Sequence, residues 1–243
     1  MLSIKSPIKN VVLRSFAHIL TYKLRKEVNR CSGIEDYVDL SYNFHLKLKL
    51  PLIRNKFRIT PIQVKEEIIQ LLSLLAELKP KTLLEIGTAG GGTLFLFSQI
   101  APLNATIISI DLPGGPFGGG YPEWRTPLYK SFAKKGQKIH LIRADSHDPK
   151  TLEIVREILD DRELDFLFID GDHTYEGVKR DFEMYSPLVR KGGIIAFHDI
   201  VEHPPETGCE VSRFWNEIKY SYSYLEIVKS WDQKWAGIGV IYV

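Results

Sequence analysis

TLLEIGTAGGGTLFLFSQIAPLNATIISID, residues 82–111, reads as a strand, a glycine-rich turn, a short helix and a second strand closing on an acid. Thr82–Ile86 is an apolar run of strand length. Gly87, Gly90, Gly91 and Gly92 then let the backbone turn tightly and approach a ligand with no Cβ in the way. Asp111 ends the next β run, where a carboxylate can accept both hydrogen bonds of a ribose diol. The spacing differs from the Gly-x-Gly-x-x-Gly of dinucleotide-binding turns. Here Glu85-x-Gly87-x-x-x-Gly91 carries an acid two residues before the first glycine.

Upstream, Thr60 is expected to cap a helix starting at Pro61, with Gln63 completing a capping box and Ile68, Leu71, Leu72 and Leu75 on its apolar face. Downstream, strands are expected at 105–111, 138–143, 165–170 and 193–198. They alternate with helices at 91–100, 122–135, 149–160, 174–189 and 209–220. YLEIVKS and GIGVIYV are two further β runs, joined by the link Trp231–Ala236. That link is too short for a helical crossover and predicts an antiparallel hairpin. The expected architecture is α/β, with a doubly wound, mostly parallel, seven-stranded Rossmann-like sheet and a C-terminal antiparallel hairpin.

Residues 1–60 stand apart and are expected to form an N-terminal helical cap or arm on a body of residues 61–243. They hold 12 Lys/Arg against 4 Asp/Glu, whereas the rest of the chain holds 20 against 26. Ile8, Val11, Val12, Phe16, Ile19, Leu20 and Leu24 recur at helical spacing, predicting one or two amphipathic helices over 3–30. HLKLKLPLI alternates in period two and suggests an edge strand or extended arm. A basic arm can meet nucleic acid, a membrane or an acidic partner, and equally can be a solvated face.

Each of the five expected parallel strands delivers polar residues at its carboxyl end, where open α/β sheets bind ligands. These are Glu85–Gly92, Asp111, Ala144–His147, Asp170–His173 and His198-Asp199. The glycine-turn spacing with Asp111 resembles motif I of the class I S-adenosylmethionine-dependent methyltransferases. The resemblance implies the Rossmann-like methyltransferase fold and S-adenosyl-L-methionine as cofactor. It places Gly87 and Gly91 along the methionine and ribose, Thr93 on the carboxylate, and Asp111 on the ribose hydroxyls. Glu85 would orient the loop or take the methionine ammonium, and Asp145, Ser146 and His147 would contact adenine. The plainer alternative for Asp145-x-x-Asp148-Pro149 is a helix cap.

FLFIDGDHTYEGVKRDFEMYSPLVRKGGIIAFHDI, residues 166–200, brings Asp170 and Asp199 to the tips of neighbouring strands. Two converging carboxylates repel unless they share a cation or proton, and a hard divalent ion would resolve the conflict. This region resembles the cephalosporin hydroxylase-like and metal-dependent sugar O-methyltransferases and, more distantly, catechol O-methyltransferase. Carried over, Asp170, His198 and Asp199 are metal ligands for magnesium or manganese. His198 departs from the acid usual at its position, and imidazole suits manganese, iron or zinc better than magnesium. His173 falls where catechol enzymes place a catalytic base, and an imidazole titrating near neutrality suits that task. The alternatives are a helix-start histidine, with Asp172 as the base. PGGPFGGGYPEWRTPLYK, residues 113–130, predicts a mobile lid whose Tyr121, Trp124, Arg125 and Tyr129 either contact a flat or sugar-like substrate or pack inward.

The expected function is methyl transfer to a hydroxyl of a small molecule or glycan, with Asp170 and His173 catalytic. A metal-dependent oxidoreductase or hydroxylase is the alternative, disfavoured because a facial triad has two histidines and one carboxylate. A non-catalytic cofactor-binding scaffold is a third reading. Nucleic acid is not an expected partner, because the body is acidic and no Asn/Asp-Pro-Pro-Tyr-type tetrapeptide is present. Cys31 and Cys209 form no CxxC pair and are expected to be reduced thiols in a cytoplasmic protein. No apolar run approaches the roughly 20 residues of a membrane span, and no signal peptide is expected. The N-terminal helices are a candidate homo-oligomer surface.

Overall fold

In the computed structural model, residues 6–50, 53–115, 117 and 120–243 are described. The chain runs α1 (Ser6–Val28), α2 (Ile34–Asn43), β1 (His45–Leu50), β2 (Ile53–Arg58), α3 (Lys65–Leu78), β3 (Thr82–Ile86), α4 (Gly92–Ile100) and β4 (Thr106–Ile110). It continues through α5 (Thr126–Lys130), β5 (Lys138–Ile142), α6 (Pro149–Leu159), β6 (Leu164–Ile169), α7 (Tyr175–Tyr185), β7 (Val189–His198), α8 (Val211–Ile218), β8 (Ser223–Ile227) and β9 (Ile238–Tyr242). The main sheet has the order β5-β4-β3-β6-β7-β9-β8, with β5 to β7 parallel and the last two strands antiparallel. The order reverses beside β3, between the β4 and β6 sides, where ligands bind in doubly wound sheets.

Register makes that edge level. Ile142, Ile110, Ile86, Ile169 and Phe197 pair across one row. The next residues, Arg143, Asp111, Gly87, Asp170 and His198, therefore emerge side by side. Strand alternation sends Leu83, Ile107, Phe166 and Phe168 to one face and Leu84, Ile108, Leu167 and Ile169 to the other. The first face is covered by helices that include α3 and α4, through Leu71, Leu72, Phe95 and Phe97. The second is covered by α6 to α8, through Val155, Tyr185, Phe214 and Trp215.

Residues 6–28 form a single helix; the first residues of the expected 3–30 span lie outside the described ones. Phe16, Leu20 and Leu24 are buried, but Ile19 is 51% exposed. Ile19 thus falls outside the apolar stripe to which periodicity had assigned it. Phe16 packs on Trp124, and Thr21 Oγ1 donates to Ser131 Oγ at 3.2 Å, so α1 is seated on α5. β1 and β2 pair antiparallel from His45↔Arg58, with Pro51 of HLKLKLPLI outside the described residues.

Two helix boundaries differ from expectation. α3 begins at Lys65 behind an extended Val64 with no side-chain cap, so Thr60 and Gln63 form no capping box. Residues 59–61 instead cross the start of α4, where a Cβ on Gly92 would lie 2.3 Å from Pro61 N and 2.6 Å from Ile59 O. The expected helix 122–135 is a 3-10 turn at Glu123–Arg125 followed by the five-residue α5. It ends early because Gln137 Oε1 accepts the Lys134 N–H at 2.9 Å while its amide donates to carbonyls of residues 98, 101 and 102. No helix among the described residues is long and apolar enough to cross a membrane.

Candidate active site

The glycine turn closes over the sheet edge. Gly87 has φ 100°, and a Cβ there would lie 2.0 Å from the Asp170 carbonyl, so only glycine permits this approach. Ala89, at φ 41°, turns its N–H to Asp111 Oδ2 at 3.0 Å. Asp111 is buried, and desolvation pushes its carboxyl up to about 6. A cavity at this edge is bordered by Gly87, Asp111, Asp145, Ser146, His147 and Asp170, with Ile86, Ile110 and Phe117 as apolar wall.

Not every residue of the glycine motif reaches that wall. Glu85 and Thr93 lie beneath the turn: the Thr93 hydroxyl donates to Glu85 Oε1, and Ser109 Oγ donates to Oε2 at 2.7 Å. Burial raises the Glu85 carboxyl to about 8. Gly91 is the N-cap of α4. Asp145 Oδ1 accepts the His147 N–H at 2.9 Å, and Asp148, not Asp145, caps α6. His147 Nε2 sits 3.1 Å from Gly177 O and 3.2 Å from Asp181 Oδ1, and the adjacent Asp181 carboxylate raises its pKa.

Beside the cavity lies a knot of titratable groups. His198 Nδ1 is 3.1 Å from Asp170 Oδ1 and 3.2 Å from Asp199 Oδ1. His173 bridges the same carboxylates, Nε2 at 3.4 Å from Asp170 and Nδ1 at 3.2 Å from Asp199. Phe117 stacks on His173 at 5.0 Å. Burial disfavours the imidazolium, but the paired carboxylates outweigh it and hold His173 at about 11 and His198 at about 10. Against the same burial, the charge of His198 draws Asp170 and Asp199 down. Asp199 sits at φ 64°, a left-handed conformation unusual for a non-glycine, and accepts the Ala236 N–H at 3.0 Å.

Asp172, the alternative base, accepts the Thr174 N–H and hydroxyl at 2.9 and 2.8 Å. Thr174 in turn caps α7. Trp124 packs against Phe16 and Phe57, and Tyr121 and Tyr129 are buried, so these three lid aromatics face inward. Pro116, Gly118 and Gly119 of the lid lie outside the described residues.

Three residues with no assigned role enter the cluster. Gln63 Nε2 donates to Asp170 Oδ2 at 2.8 Å. His203 Nε2 lies 3.1 Å from Asp199 Oδ1, and this contact raises its pKa to about 9. Cys209 would be raised by burial, yet hydrogen bonds with His173 and His203 bring it to about 7. Asp170, His198 and Asp199 each offer a ligand atom within 4.8 Å of the others, and so do His173, Asp199 and Cys209.

Residues 84–200 match the model of a methyltransferase domain family. An uncharacterized protein of Acanthamoeba polyphaga mimivirus is 34% identical over 155 residues, covering 60% of this chain and 66% of that protein. An uncharacterized protein of Sinorhizobium fredii is 28% identical over 151 residues, covering 60% of this chain. The chain thus spans less than two thirds of the first relative and 16% of the second. Among solved structures, an O-methyltransferase from Bacillus cereus in complex with S-adenosylhomocysteine is 16% identical with a TM-score of 0.53, over 86% of this chain and 90% of that one. The O-methyltransferase TomG from Streptomyces achromogenes, involved in tomaymycin synthesis and in complex with S-adenosylmethionine, is 19% identical with a TM-score of 0.50, over 72% and 78%. The fold is that of the class I methyltransferases. Within the matched residues 84–200, both the glycine turn and the histidine–carboxylate knot sit at the carboxyl edge of the sheet.

Proposed function

We propose that the protein transfers a methyl group from S-adenosylmethionine to a hydroxyl oxygen of a small-molecule or glycan acceptor, assisted by a divalent cation. The observation that carries this reading is Asp170, which borders the cavity under the glycine turn and also belongs to the histidine–carboxylate knot. Donor and acceptor would therefore meet at one carboxylate, and holding both in one assembly supplies much of the acceleration. Gly87, Asp111 and Ser146 would hold the donor.

The donor set of the knot fits a divalent cation. Two carboxylates and a buried imidazole converge, and His198 Nε2 is buried without a partner among the described residues. Asp170, His198 and Asp199 would be the ligands, and a bound divalent ion lowers the pKa of a coordinated hydroxyl. His173 would take the hydroxyl proton. With Asp170 and Asp199 uncompensated it is held protonated, and it becomes a base only when their charge is engaged elsewhere. Gln63 holds Asp170 Oδ2, which leaves Oδ1 turned to His173 and His198.

The test is a panel of hydroxyl acceptors with labelled S-adenosylmethionine, with and without chelator, alongside calorimetry. S-adenosylhomocysteine is expected to bind at least about tenfold tighter than NAD. Asp111→Ala should weaken it by about 1.5–3 kcal/mol, the scale of a hydrogen bond to a charged group. Tighter binding of NAD would sink the donor assignment.

A further inference from the structure

A second cleft shares the glycine turn. Gly90 borders it, while Gly87 and Ala89 border the donor cavity. Gln63 lines it too, and because the Gln63 amide donates to Asp170, one side chain separates this cleft from the reacting carboxylate. Its charged lining groups are Arg58 and Arg125, and among the described residues no carboxylate lines it. Ion pairs of Lys and Arg among the described residues involve Arg30, Lys65, Arg190, Arg213, Lys219 and Lys229, so neither cleft arginine is neutralised there.

Arg125 is held in place. Its guanidinium carbon lies 4.9 Å from the Phe57 ring centroid and 5.5 Å from that of Trp124. Nη1 donates to the Tyr129 hydroxyl at 3.1 Å, which donates to Ala89 O at 3.0 Å. The guanidinium is thus fixed relative to the turn that borders the donor cavity. Its Nε is buried with no hydrogen-bond partner among the described residues. A solvated arginine would extend into water; this one lies folded on two rings with donors to spare. A planar fork beside a second unpaired guanidinium suits an oxyanion, which it can bind through paired hydrogen bonds. The rim is apolar, with Ile62 65% and Trp235 42% exposed.

We propose that this cleft receives the methyl acceptor and that the acceptor carries an oxyanion, carboxylate or phosphate, held by Arg58 and Arg125. Its apolar or ring portion lies along Ile62 and Trp235, and its hydroxyl reaches past Gln63 to Asp170. The assignment rests on the methyltransferase reading for the word acceptor, but the oxyanion site stands on its own geometry.

Calorimetry on the full chain with phenyl phosphate, benzoate and neutral benzyl alcohol tests it, with S-adenosylhomocysteine titrated in parallel. The charged probes should bind at least about tenfold tighter than benzyl alcohol, and whichever of the two is tighter identifies phosphate or carboxylate. Arg58→Ala and Arg125→Ala should each cost about tenfold or more in that binding, Arg125→Lys less, with S-adenosylhomocysteine affinity kept. Arg125 packs on two rings, so exposed Arg58 is the variant that leaves packing intact. Equal binding of benzyl alcohol, or unchanged binding of charged probes to Arg58→Ala, overturns the proposal. Charged probes binding to a protein that ignores S-adenosylhomocysteine would keep the oxyanion site and overturn the methyl-donor reading instead.

Discussion

Glu85 lies on β3 with its carboxyl under the glycine turn, where it accepts from Thr93 and Ser109 and titrates at about 8 instead of its ordinary 4.5. A carboxyl raised on folding contributes stability that is full below pH 4.5 and is lost as pH climbs toward 8, because only the unfolded chain ionises in that window. The loss is on the order of 4 kcal/mol for a group this deeply buried. Glu85→Gln should flatten it, read from urea midpoints between pH 5 and 8; an unchanged slope would place the titration elsewhere. In the knot, chelation should abolish turnover and leave S-adenosylhomocysteine affinity unchanged. His173→Ala should cut turnover by roughly 10²–10⁴, with loss of the acidic limb of the pH profile. If that limb survives in His173→Ala and disappears in Asp172→Asn, the base is Asp172. Asp170, His173, His198 and Asp199 were legible in the sequence because strand ends are countable. Gln63, His203 and Cys209 were not, since each sits in a connection whose path is set by tertiary contacts. The acid of the glycine motif was visible, but its direction follows from strand parity, which points Glu85 with Leu83 toward α4 and beneath the turn.

At the scale of elements, α3 does more than cover the sheet. Glu67, fully buried on its first turn, accepts the backbone N–H groups of Lys229 and Gly237 at 2.9 Å and the Gln233 amide at 2.8 Å. It thereby fixes the β8–β9 connection, which presents Ala236 N–H to Asp199. Glu67→Ala leaves these donors without their acceptor, at about 2–4 kcal/mol given the cost of unsatisfied buried groups. It should also lower turnover while sparing S-adenosylhomocysteine binding, because the donor cavity is lined from the ends of β3, β4, β5 and β6 and not by the β8–β9 connection. Equal loss of both would show a general collapse of the fold. The strands of the main sheet followed from apolar runs and the antiparallel β8–β9 pair from its short link, whereas the spatial order of the strands, with β9 inside β8, came from the structure. The boundaries of α3 and α5 did not, because Gln63 looks like a capping residue yet serves Asp170, and Gln137, beyond the expected helix end, ties Lys134 to the carbonyls of residues 98, 101 and 102. Local preference lost there to tertiary hydrogen bonds.

At the scale of the molecule, the question is what residues 1–60 contribute. Charge asymmetry made them look like an arm. Yet Phe16, Ala17, Leu20, Leu24 and Val38 are at most 3% exposed and share one core with Leu83 and Phe166 of the sheet and Phe95 of α4. Phe16 and Phe57 flank Trp124, and Phe57 also carries the Arg125 guanidinium. Lys23, Arg25, Lys26, Arg30 and Arg58 are exposed on a segment whose inner face is core, which composition alone cannot reveal. We infer that residues 57–243 do not make an independent domain. Leu20→Ala should cost about 2–5 kcal/mol, as for other large-to-small changes in a core. Removing residues 1–56 should abolish cooperative melting and S-adenosylhomocysteine binding together, because it strips α1 and α2 from α4 and α5, which back the glycine turn. Calorimetric melting of the shortened and full chains, each with and without S-adenosylhomocysteine, decides it. A shortened chain that melts cooperatively and keeps its affinity would make the N-terminal segment a dispensable cap over the acceptor cleft, with only acceptor turnover left for it to control.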